Sequence, residues 1–170
     1  GLLTEEVAAD LIRQEVEAGH TVGLHSYSHR YGEIYRSMED YLADLEQIYR
    51  LVLQASGQRC RIVRFPGGSN NTVAPGGVMA QLREELDRRG FVYHDWNAVS
   101  GDDVSPAPAA GRLAGNILDA AGEREQMVAL FHDGATGENT AEAVRLVIRQ
   151  LKAEGYRFLP ITDSTPACHL

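Results

Sequence analysis

Short apolar runs alternate with longer amphipathic stretches along this chain, and a glycine closes each long stretch. That alternation restricts the fold more than any other feature. The long stretches repeat their apolar residues near the helical period, and the runs between them are only a few residues long. Thr4 can cap a first helix whose opening turn carries Glu5 and Glu6, favourable at the positive end of a helix dipole. Val7, Leu11, Ile12 and Val16 share its apolar face, and Gly19 ends it. Ser37 caps a second helix with Tyr41, Leu42, Leu45, Ile48, Tyr49 and Val52 on one face and Gly57 at its end. Further helices are marked by Val78, Leu82 and Leu86 up to Gly90, and by Leu113, Ile117 and Leu118 up to Gly122. The last is marked by Ala141, Val144, Leu146, Val147 and Leu151 up to Gly155. The runs 21–24, 61–65, 91–95, 127–131 and 156–161 read as strands. Helix–strand units on short links imply an α/β fold: a parallel sheet with helices outside, open or closed into a barrel. A chain of 170 residues suits one domain, 1–170, with the Pro/Ala stretch 105–110 as a surface connection.

The net charge of −8 argues against nucleic acid, whose phosphates need a basic face, and against anionic lipid. A neutral or cationic ligand is easier to hold. Cys60 and Cys168 form no metal-binding pair motif, so they read either as one bridge or as two unpaired thiols. No apolar run is long enough to span a membrane. Gly1-Leu2-Leu3 is followed at once by the helix start at Thr4, so no leader is read: the expectation is an intracellular chain, or one whose start was removed.

In parallel α/β folds chemistry gathers at the carboxyl ends of strands. The unusual polar residues fall there repeatedly. His25-Ser26-Tyr27-Ser28-His29 follows the first strand. Two imidazoles four residues apart can hold one metal ion if the segment turns helical, and the bland alternative is a solvated turn. Arg64-Phe65-Pro66-Gly67-Gly68-Ser69-Asn70 follows the second strand, Asp95-Trp96-Asn97 the third and His132-Asp133 the fourth. Taken singly, Arg64 reads as an ion-pair partner, Pro66-Gly67-Gly68 as a tight turn, Asp95 as a cap, Trp96 as core and His132 as a structural histidine. Their recurrence at successive strand ends argues instead for one site on one rim.

Together these residues resemble the polysaccharide deacetylases, the family-four carbohydrate esterases that share the chitooligosaccharide-deacetylase homology domain. The family's H-[ST]-x-x-H matches residues 25–29, R-x-P-x-G matches 64–68, the Asp-Trp motif matches Asp95-Trp96, and L-x-H matches Leu130-Phe131-His132. The resemblance runs from about Val7 to Ile161. The stretch Arg64–Asn70 and the run from Asp95-Trp96-Asn97 through Ser100-Gly101-Asp102 look like a subgroup found in Gram-positive bacteria. The family's T-F-D-D-G should precede the histidine pair by several tens of residues, yet only 24 residues precede His25 and none spell it. Gly1 falls where the family's helix before the third strand would start.

The resemblance implies a distorted seven-stranded (β/α) barrel with its first strands missing, hence an N-terminally incomplete domain. It implies a divalent metal, zinc first, on His25 and His29, with the third, carboxylate ligand absent from the chain. It implies His132 as general acid, Asp95 as its hydrogen-bond partner and Arg64 as partner to the missing base. Gly67 would offer an oxyanion N–H, and Trp96 and Leu130 would wall the acetyl methyl. Tyr27, Tyr31 or Tyr35 could be a sugar platform. The implied activity is N-deacetylation of N-acetylglucosamine polymers, peptidoglycan or chitin-like, impaired in this chain alone. The implied setting is extracellular or at a bacterial cell surface, and an open barrel side invites a homodimer. The alternatives are a non-catalytic glycan-binding relative and a small-amide hydrolase of the same superfamily.

Overall fold

A computed structural model describes residues 4–122, 124–133 and 137–170; Gly1 lies outside them. The chain forms two compact units, residues 1–95 with 160–170, and residues 96–159.

The first unit holds α1 (Glu5–Glu17), α2 (Tyr31–Ile34), α3 (Met38–Ser56), α4 (Val78–Arg88), β1 (Ile62–Val63) and β2 (Val92–Tyr93). Thr4 caps α1, its hydroxyl accepting from the Val7 amide at 3.4 Å. Ser37 caps α3 by accepting from the Asp40 amide at 3.1 Å. Gly57 ends α3 at φ 71°, a left-handed backbone that costs glycine no Cβ clash. α3 buries Tyr41, Leu45 and Val52 as its spacing predicts. α1 departs from its expected stripe. Ile12 is buried, but Val7 and Leu11 are 45% and 43% exposed, because α1 lies on α3 by one edge of that stripe.

β1 and β2 pair in parallel, Ile62 opposite Val92 and Val63 opposite Tyr93. Of the expected strand 21–24 only Leu24 pairs, through a parallel bridge to Val63. The run 61–65 is cut short because the Gly68 amide bonds the Phe65 carbonyl at 2.9 Å, and Pro66, inside that turn, has no N–H for a ladder. Leu24, Val63, Phe65, Leu82 and Leu86 are fully buried in the core of this unit. Each such side chain contributes about 1.5–3 kcal/mol over its exposed state. The chain's last residues lie along β2: the Asp95 amide donates to the Cys168 carbonyl at 2.7 Å, and the His169 ring stacks on Tyr93 at 4.0 Å.

The second unit holds β3 (Ala98–Val99), α5 (Ala110–Ala121), β4 (Ala129–Leu130) and α6 (Gly137–Ala153). β3 and β4 are parallel, with Ala98 opposite Ala129 and Val99 opposite Leu130. β3 was not foreseen, because two residues are too short to show a period. α5 and α6 close over Leu113, Ala114, Ile117, Ala143, Val147 and Leu151. The buried stripe of α6 is Thr140, Ala143, Val147 and Leu151, whereas Ala141, expected inside, is exposed.

The stretch 156–161, expected as a strand, is not one. Phe158 and Leu159 are 45% and 72% exposed. Apolar residues make a strand only where a neighbouring edge offers hydrogen bonds, and no described residue pairs with it. Each unit therefore combines parallel pairing with flanking helices, an α/β pattern. No described helix is long and apolar enough to cross a membrane. Cys60 and Cys168 are free thiols.

Candidate functional site

The loop 25–29 is wound around one buried carboxylate. Asp44 projects from the otherwise apolar face of α3. It accepts from the Ser26 hydroxyl at 2.7 Å, the Tyr27 amide at 2.8 Å and the Ser28 amide at 3.0 Å. Burial alone would raise its pKa, but the hydrogen bonds from Ser28, Ser26 and the amides outweigh burial and hold it below the usual carboxylate range. Ser26 in turn accepts from the His29 amide at 2.9 Å. His29 sits at φ 55°, a left-handed conformation that costs a non-glycine residue on the order of 1 kcal/mol. The segment is thus not the helix that the four-residue spacing suggested. Its imidazoles converge because Asp44 and Ser26 curl the backbone.

The ring geometry suits a metal. His25 Nδ1 lies 2.9 Å from the Arg64 carbonyl, which can only accept, so Nδ1 carries the hydrogen and Nε2 the lone pair. His25 Nε2 faces His29 Nε2 at 3.3 Å. Either His29 donates across that gap or both lone pairs turn to one cation. Two nitrogens bound to tetrahedral zinc at roughly 2.0–2.1 Å stand about 3.3–3.4 Å apart, so the observed gap fits two ligands. Among the described residues no cluster of three or more His, Cys, Asp or Glu could complete such a site.

At the strand ends of the same unit, the Arg64 guanidinium donates to the carbonyls of His94 at 3.3 Å and Asp95 at 3.4 Å. Asp95 is wholly buried and accepts from the Ser69 amide at 2.8 Å, the Ser69 hydroxyl at 2.6 Å and the Leu170 amide at 3.0 Å. Gly67 stands in the turn between them at φ 78°, where any side chain is strained, and a Cβ there would come within 3.1 Å of the Tyr31 ring, which would have to give way. Tyr35 is no sugar platform: it is buried and its hydroxyl donates to the Pro66 carbonyl at 2.8 Å.

His94, next to this cluster, is 1% exposed, and neither ring nitrogen has a hydrogen-bond partner among the described residues. Burial, then the nearby His169 and Arg64, push its pKa down. The folded state therefore binds fewer protons there than the unfolded chain. Its stability is full above the free-histidine value near 6.5 and falls as pH drops through the folded value. In His94→Phe that acid-side loss should shrink, as seen in urea unfolding between pH 7 and pH 5. An unchanged pH slope would contradict it.

In the second unit, Asp102 is the hub. Its Oδ1 accepts from His132 Nδ1 and from the Ser100 hydroxyl, both at 2.8 Å. Its Oδ2 accepts from the His132 amide at 2.8 Å and the Thr140 hydroxyl at 2.9 Å. Burial opposes ionisation, yet these donors hold its pKa down at about 2. This corrects one sequence expectation. Asp95 was assigned as the partner of His132, but its carboxylate is taken up by Ser69 and Leu170, and Asp102 holds the imidazole. Leu130 on β4 is half-buried and accepts from the Ser100 amide at 3.1 Å through its carbonyl. Trp96, half-buried, opens this unit.

Of the residues singled out from sequence, the first unit links His25, His29, Arg64 and Asp95 through consecutive hydrogen bonds, with Gly67 in the adjoining turn. The second holds Trp96, Leu130 and His132. The sequence reading does not single out Asp44, Asp102, Ser69 or Thr140, which hydrogen-bond to these residues or to the groups that hold them. Asp44 carried a signal, being an acid within an apolar helical stripe. Asp102 ends the run 95–102 that carries part of the family resemblance.

Residues 3–82 match the family model for polysaccharide deacetylase. The chain is 30% identical over 153 residues to the peptidoglycan-N-acetylglucosamine deacetylase of Bacillus cereus, covering 88% of this chain and 53% of that protein. Among solved structures it is similar to the catalytic domain of peptidoglycan N-acetylglucosamine deacetylase from Eubacterium rectale, with TM-score 0.92 and 36% identity over 97% of this chain and 76% of that one. A polysaccharide deacetylase from Bacillus cereus gives TM-score 0.80 and 27% identity, covering 95% of this chain and 76% of that one. The chain spans about half the length of the curated relatives it matches.

Proposed function

The chain belongs to the polysaccharide deacetylases, the family-four carbohydrate esterases, and from that we propose that it hydrolyses amide bonds, removing N-acetyl groups from an N-acetylglucosamine polymer of a bacterial wall, peptidoglycan before chitin. The barrel of the family and action outside the cell belong to the same proposal. The observation that carries it is the facing pair His25 and His29, with Nε2 atoms 3.3 Å apart and one tautomer already set. His25 and His29 would hold a divalent ion, zinc being suited to imidazole, and that ion would supply Lewis-acid polarisation of the acetyl carbonyl.

The chain's own residues take the other roles. Arg64 sets the His25 tautomer with its carbonyl and ties down the strand end with its guanidinium. Asp95 holds the same strand end through Ser69. As water adds to the carbonyl carbon and gives up a proton to solvent, the Gly67 N–H would donate to the oxyanion of the tetrahedral centre. His132, with Nδ1 tied to Asp102, would hold a proton on Nε2; as the C–N bond breaks, the leaving nitrogen takes that proton. Trp96 and Leu130 would give the acetyl methyl an apolar surface. T-F-D-D-G, from which the family draws its base and third ligand, occurs nowhere in these 170 residues, so turnover by this chain alone is proposed to be slow.

Calorimetric titration with zinc tests the proposal: one ion per chain is expected, lost in His25→Ala and His29→Ala. Acetate released from an N-acetylglucosamine oligomer should stop on adding a chelator. Zinc uptake indifferent to both histidines would sink the assignment. A glycan-binding role without turnover is the alternative. It predicts heat on mixing with the oligomer and no acetate.

A further inference from the structure

We propose that Thr140 is a positioning residue for His132, acting through the carboxylate of Asp102; this rests on His132 being the proton donor. Thr140 stands in the first turn of α6 on the buried stripe, where the spacing calls for an apolar side chain. It is only 6% exposed, and a buried hydroxyl is costly unless it is bonded. Its Oγ1 donates to Asp102 Oδ2 at 2.9 Å.

A carboxylate offers about four acceptor positions. Among the described residues four donors converge on it: Ser100 Oγ and His132 Nδ1 on Oδ1, the His132 amide and Thr140 Oγ1 on Oδ2. Three come from the loop after β3 and the segment after β4. Among the described donors, Thr140 is the one that ties the carboxylate to a long helix. A carboxylate filled in this way does not rotate about its Cβ–Cγ bond. The Nδ1–H of His132 then has one fixed acceptor, and Nε2 is left as the atom that exchanges protons on a ring 46% exposed. Without the Thr140 hydroxyl, Oδ2 loses a donor and the carboxylate gains freedom. Ser100 cannot replace that donor because it is committed to Oδ1.

The test compares Thr140→Val, which keeps the shape and deletes the hydroxyl, with Thr140→Ser, which keeps the hydroxyl. The readout is the low-field proton resonance of the His132 Nδ1–H, identified by its disappearance in His132→Ala. It should be sharp in the parent and in Thr140→Ser, and broadened or moved upfield in Thr140→Val. Turnover of an N-acetylglucosamine oligomer should fall about tenfold in kcat for Thr140→Val with KM unchanged, and return in Thr140→Ser. Should Thr140→Val not fold, loss of the resonance in a folded Thr140→Ser would still refute the idea, because packing of the methyl would then be the cause. An unaltered resonance in Thr140→Val also overturns it. If instead His132→Ala keeps full turnover while Thr140→Val still loses the resonance, the positioning stands and the acid role falls.

Discussion

Replacing Asp44 with alanine is expected to lower the stability of the chain by about 3 kcal/mol and to abolish zinc binding at the histidine pair. Three donors of the loop converge on that carboxylate: one hydroxyl and two amides. Hydrogen bonds to a charged group contribute roughly 1.5–3 kcal/mol each, and their loss is not additive because the loop can turn its amides to water. What it cannot recover is the curl that brings His25 and His29 together, since Ser26, which holds the His29 amide, is itself held by Asp44. The strained φ of His29 would then relax, and the rings would part. Asp44→Asn keeps the shape but one oxygen fewer, so it should fall between parent and alanine. The contribution has a pH sign. With the folded pKa below the ordinary 3.8, it is present above that value and lost as pH falls through the folded one. Urea unfolding and zinc calorimetry on the two variants measure both effects. Parent-like zinc affinity in Asp44→Ala would show that the loop shapes itself.

The second large effect is expected at His132. Alanine there should reduce deacetylation by about 10²–10⁴, the usual range for loss of a general acid, while zinc affinity stays as in the parent. Asp102→Asn should lose most of the same activity, because an amide nitrogen facing Nδ1–H turns an acceptor into a donor and upsets the tautomer. Asp102 also bears on acid stability. Its carboxyl, held at about 2 against an ordinary 3.8, favours the fold above the latter value and ceases to do so between the two. Retention of turnover in His132→Ala would remove this histidine from the chemistry. Equal loss of zinc binding would mean that the substitution damages more than proton transfer.

Much of this architecture was readable from residue order. Capping residues and closing glycines mark the helices with little ambiguity, since Thr4, Ser37 and Gly57 each meet a local need that few other residues meet. Three of the expected strands form in shortened versions as β1, β2 and β4, 21–24 shrinks to a bridge at Leu24 and 156–161 forms none, because apolar runs record burial and not hydrogen-bond partners. The segment around Phe158 and Leu159 shows the difference most plainly. The candidate histidines, Arg64 and Gly67 were visible because strand ends concentrate unusual polar residues.

What order along the chain determined by itself is the alternation of helix and strand, and the set of imidazoles and glycines that the site draws on. Only folding decided which carboxylate serves which group. Apart from Ser100, two residues before Asp102, the partners of Asp44 and Asp102 lie 16 to 38 residues away, so no local period betrays them. Asp95 and Asp102 are the same residue type, seven positions apart. The donors that fill one carboxylate and leave the other to an imidazole are set by packing, because a buried charge is tolerated only where donors from other segments converge on it.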